Sequence, residues 1–191
     1  MTLITRHIER SGLERLNALE GTLWESLGSV WPMTNGFLEA PVSVASDTGN
    51  LSLNTVLEYF AVDDDEFSFS SIRIDKSGSE FDQSRRDGNV YFHGKGESIG
   101  QILVVRETLC ATYQGNTFLE ADIDFGVVFV LENSVIGISK RGFHGEDFVV
   151  SRASSIDELH FFDSAKEWSQ SLMVRYEFGR KLVKVSELLS T

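Results

Sequence analysis

An α+β domain, with an antiparallel β-sheet of about five to eight strands flanked by N-terminal and C-terminal helices, is the fold class this sequence predicts. Three observations carry it. Apolar residues recur at helical spacings near both ends and at two-residue spacings between them. The strand-like runs follow one another across short polar turns. No stretch between residues 50 and 150 has room for the crossover helices that a parallel sheet requires.

The chain divides as one domain, 1–191, into a helical segment 1–30, a loop 31–50, an antiparallel sheet 51–155 and a helical segment 160–191. Ser11-Gly-Leu-Glu14 and Thr22-Leu-Trp-Glu25 have the form of capping boxes. With Leu13, Leu16, Leu19, Leu23 and Leu27 on one face, they predict helix over roughly 12–28. Residues 31–50 hold both prolines and Asn35-Gly36, which predicts a loop. From Leu51 the period is two: Leu51, Leu53, Leu57 and Tyr59 share a face. Phe67 and Phe69 then give way to Ile72 and Ile74 on the other parity, which predicts a β-bulge at Ser70-Ser71.

Asp87-Gly88 predicts a turn, followed by strands in VYFHG and IGQILVVRETL. Along TFLEADIDF, Leu119, Ala121, Ile123 and Phe125 face in while Glu120, Asp122 and Asp124 face out. GVVFVL is apolar on both faces and so belongs at the centre of the sheet, paired with SVIGISK across Glu132-Asn133-Ser134. Ser164-Ala-Lys-Glu167 opens a C-terminal helix over roughly 164–178, with Trp168, Leu172 and Tyr176 on its buried face. The tail KLVKVSELLST is compatible with helix or a last strand.

The single cysteine, Cys110, excludes an intramolecular disulfide and reads as a buried, inert thiol. The charged N-terminus lacks the apolar core of a secretory signal, and no apolar run reaches membrane-helix length, so a cytoplasmic location is expected. A net charge of −12 argues against binding to a nucleic-acid backbone, and with no long apolar run no membrane partner is expected. That charge is concentrated. Residues 31–84 hold ten acids against two bases and residues 116–163 nine against three, while the other segments are near neutral.

The recognised catalytic patterns are missing, and no cofactor is expected. HGKGESIG leads into a strand rather than a helix, so it fails as a phosphate loop and reads as a turn. His93 and His144, each followed by glycine, could with a carboxylate hold a metal or run acid–base chemistry, or serve a small ligand in a sheet–helix pocket, though no metal is expected. Arg85-Arg86 reads as a solvated pair in a turn. The acids remain: the hairpin tip Asp63, Asp64, Asp65 and Glu66, which must project into water, and the strand face Glu120, Asp122 and Asp124, with carboxylates roughly 6.5–7 Å apart.

Together they suggest a surface for a basic protein partner and a non-enzymatic, protein-binding function, such as an immunity or antitoxin-type inhibitor that occludes a basic enzyme. A small-ligand binder or enzyme using His93 and His144, and a nucleic-acid-mimicking inhibitor, are the alternatives. Nothing in the sequence sets an oligomeric state.

Overall fold

The computed structural model describes residues 1–62, 65–94, 96–168 and 173–191, without the side chains of residues 61, 62, 65–67, 79–81, 167 and 168. In chain order the elements are β1 (Thr2–Arg6), α1 (Arg10–Asn17), β2 (Trp24–Ser29), β3 (Phe37–Glu39), β4 (Val42–Ser46), β5 (Gly49–Val62) and β6 (Asp65–Lys76). They continue with α2 (Ser79–Asp87), β7 (Val90–Tyr91), β8 (Ile99–Tyr113), β9 (Asn116–Leu131), β10 (Val135–Lys140) and β11 (Asp147–Ala153). A 3₁₀ turn (Ile156–Glu158), α3 (Ser164–Trp168), β12 (Val174–Lys184) and α4 (Val185–Leu189) complete the chain.

The strands form two sheets. One has seven strands, in the order β12-β8-β9-β10-β11-β3, with β1 added beside β9; the other has five, β6-β5-β4-β2-β7. All pairings are antiparallel except β1 with β9. The fold is therefore mostly antiparallel β-sheet with a few short helices. The two sheets share one apolar cluster, in which Leu27, Val44, Leu53 and Ile74 of the smaller sheet meet Val104, Phe129, Ile138 and Phe148 of the larger. As its two-faced apolar pattern predicts, the second half of β9 is central: Val127, Val128 and Phe129 are fully buried between β8 and β10.

The helices depart from the prediction. Leu13, Leu16 and Leu19 are buried as expected, but α1 begins at Arg10, and Ser11 does not cap it. Residues 24–29 are strand β2 rather than helix. Trp24 packs against Phe129 with ring centroids 5.3 Å apart and planes tilted by 57°, and donates its indole N–H to Phe92 O, and this tertiary packing decides the local structure. The predicted loop 31–50 holds β3, β4 and the start of β5. Among the described residues the C-terminal helix covers Ser164–Trp168, and Tyr176 lies in strand β12 rather than on that helix; Leu172 is outside the described residues. Ser164 donates to Glu107 Oε2 at 2.9 Å, so its hydroxyl serves a buried carboxylate.

Two further turns resolve differently. Asp87-Gly88 ends helix α2, with Gly88 at φ 75° as its left-handed cap. β5 and β6 pair from Leu51–Lys76 to Val62–Asp65 without a bulge. The parity switch in β6 arises because its two faces join different clusters: Phe69 packs with Leu109, Leu119 and Phe143, and Ile72 and Ile74 pack between the sheets.

Candidate functional site

The register of the larger sheet places Glu120, Asp122 and Asp124 on one face of β9, as alternation predicts. Glu120 lies between Leu3 of β1 and Cys110 of β8, and Cys110 lies beside Glu177 of β12. The next row is Thr5, Asp122, Thr108 and Gly179. Most of these side chains line a shallow depression of about 490 Å³. Leu3, 64% exposed, is an apolar side chain beside the acids.

The three acids have different environments. Glu120 is half-buried and has no cation beside it among the described residues. Asp122 lies 3.2 Å from His7 Nε2 and 3.8 Å from Arg106 Nε. Asp124 corrects the expectation of an outward-facing residue, since it is only 1% exposed. Its Oδ1 accepts from Arg106 Nε at 2.7 Å, and its Oδ2 accepts from the Ile8 main-chain N–H at 2.8 Å. A register shift at Val105/Arg106 brings Arg106 opposite Asp124, and the segment after β1 closes over the pair. Asp124 is thus a structural anchor.

The hairpin acids are placed only in part. Asp63 and Asp64 lie outside the described residues; Asp65 and Glu66 are backbone members of β6, with side chains outside the description.

His93 and His144 are held by different elements. His93 is exposed beside Trp24, Glu25 and Arg85, whereas His144 Nδ1 bonds to the main-chain oxygen of Ser68 on β6. The described residues of HGKGESIG run from the connection after β7 into β8, which begins at Ile99. A Cβ on Gly94 would lie 2.0 Å from Trp24 O, so the glycine there permits close backbone packing. Arg85 and Arg86 occupy the last turn of α2, where their charge suits the helix dipole, and Arg85 lies 3.9 Å from Glu25. Cys110 is half-buried rather than buried. No group of three or more His, Cys, Asp or Glu among the described residues could hold a metal ion. No helix among them is long and apolar enough to cross a membrane.

A second feature has no signal in the local sequence. A cleft of about 580 Å³ opens between α1 and the β5–β6 hairpin, lined by Arg6, His7, Arg15, Glu58, Arg73 and Asp75, among others. Its charges are largely satisfied internally: Arg6 bonds Glu58 at 2.8 Å, Arg73 bonds Asp75 at 2.8 Å, and Arg15 donates to Ile74 O at 2.7 Å. On the larger sheet, Glu107 is 3% exposed and bonded to Arg180 and Ser164. Burial raises its carboxyl above the ordinary 4.5, outweighing the lowering by Arg180, Ser164 and Lys140. Lys140, fully buried, donates to Ser70 O and lies over the Phe125 and Phe143 rings. Comparison with known proteins finds no family, no curated protein and no solved structure that matches this chain.

Proposed function

We propose that this chain is a protein-binding module, an acidic cytosolic protein that docks a basic partner and inhibits it by occlusion, as immunity or antitoxin-type proteins do. The supporting observation is the open row on the larger sheet. Glu120 and Glu177 flank Cys110 beside the exposed Leu3, and Glu120 carries no compensating cation among the described residues. A basic protein would relieve that carboxylate, and Leu3 would add apolar contact. The hairpin acids Asp63, Asp64, Asp65 and Glu66 belong to the same reading as further candidates for the partner, on a hairpin whose Phe69 packs with Leu119 and Ala121 and so meets the opposite face of β9 from Glu120. Asp124 takes no part, because it is already committed to Arg106 and Ile8.

The test begins with affinity capture from the source cell, followed by association kinetics with the captured partner across ionic strength. Glu120→Gln combined with Asp122→Asn preserves shape while removing two charges. The variant should associate more slowly and with a shallower salt dependence, because exposed interfacial charges act mainly on the on-rate. An unchanged rate and salt slope would return these acids to the role of a solvated sheet face.

A further inference from the structure

β12 forms an edge of the seven-stranded sheet. It pairs residue for residue with β8 from Val174–Tyr113 to Lys184–Leu103. From Glu177 to Val183 its outer side meets no other strand among the described residues, and takes no main-chain hydrogen bond from one outside β8. Such an edge offers a row of N–H and C=O groups to any strand that can lie along it. Charged side chains ordinarily discourage indiscriminate pairing, and Arg175, Glu177, Arg180, Lys181 and Lys184 supply them here.

The order of those charges favours one pairing along the whole length of the strand. In an antiparallel pair related by a two-fold axis normal to the sheet, opposed residues must share a face, so the register can change only in steps of two. With the axis at Gly179, Glu177 of each copy lies opposite Lys181 of the other, and Tyr176 lies opposite Leu182. One step to either side is unfavourable: Arg175 then meets Lys181, or Arg180 meets Arg180. Within its own chain Lys181 lies across from Arg106, a like charge already committed to Asp124, and no described carboxylate pairs with it. Glu177 is 61% exposed, in a surface ion pair with Arg175 of its own strand at 2.9 Å, and Leu182 is 37% exposed; an exposed pair of that kind contributes little and can be exchanged for Lys181 of a second copy.

We propose that β12 is a self-association edge: two copies pair antiparallel through β12 about Gly179, joining their larger sheets into one. The pairing shares Glu177 with the acidic row proposed for a foreign partner but not Glu120 or Asp122, so the Lys181 variant tests self-association while leaving that row intact.

The experiment is sedimentation equilibrium of the full chain over a concentration series. Wild type should approach twice the mass of one chain. Lys181→Glu and Glu177→Lys should each weaken association by about tenfold or more, since each places two like-charge pairs across the axis. An equimolar mixture of the two variants should restore the dimer. At positions 177 and 181 the first variant is acidic and the second basic, so opposite charges again meet across the axis. Recovery in the mixture also shows that both variants are folded. A wild-type mass of one chain at every concentration would overturn the proposal. So would single variants that remain fully dimeric, or a mixture no better than its components.

Discussion

Asp124 and Asp122 are two residues apart on one strand face, and their substitutions should differ sharply. Asp124 is buried against Arg106, so Asp124→Ala leaves a guanidinium and the Ile8 N–H without their acceptor. The cost should be about 3–5 kcal/mol in denaturant unfolding, the range for a broken buried pair. Asp122→Asn, at a partly exposed ion pair, should cost less than about 1 kcal/mol. Equal costs would mean that the segment after β1 does not close over Asp124. Glu107 supplies a pH signature. Its folded-state value is raised, so the native chain keeps this proton where the unfolded chain has released it. The stability it contributes is therefore fullest below 4.5 and declines as pH rises through the raised value. Glu107→Gln removes this dependence, and wild type should lose stability relative to the variant as pH climbs, read from urea midpoints of the pair. A difference that stayed constant would show that Arg180 holds the carboxylate ionised throughout.

Among the elements, the legible ones had a spacing that only one structure satisfies. Leu13, Leu16 and Leu19 recur every three residues, which a strand cannot place on one face, and all three are buried beside or within α1. Leu23 and Leu27, like Trp168, Leu172 and Tyr176, recur every four. Four is a multiple of two, so a strand fits as well, and β2 and β12 took Leu27 and Tyr176. Packing decided between the two structures, and packing is invisible to a local pattern. The same limit applied to the acids. Alternation placed all three on one face, but the register shift that sets Arg106 against Asp124 depends on a strand 18 residues away. The glycine-rich connection after β7 gives this packing a direct test. Gly94→Ala would set a methyl against Trp24 O and so must displace the loop, costing about 1–3 kcal/mol as overpacking does. A denaturation midpoint unaltered by the substitution would mean the loop stands off from β2.

Taken whole, the molecule is held by contacts between distant parts of the chain. α1 and α4 pack together, and Arg10 reaches Leu189 O at 3.3 Å. β12 closes on β8, and β1 lies parallel to β9, with the Ile8–Asp124 bond spanning 116 positions. That last pairing bears on the order of synthesis. When residues 2–6 leave the ribosome, the strand they need as a neighbour has not been made. Ile4 and Ile8, both buried in the finished fold, must wait in an unfinished nascent chain while the intervening strands emerge. The β8–β9 hairpin, whose pairing is local in sequence, can form without them and then receive β1. Ribosome-bound chains halted before residue 116 should therefore leave the first eight residues open to protease, and chains released beyond β9 should protect them.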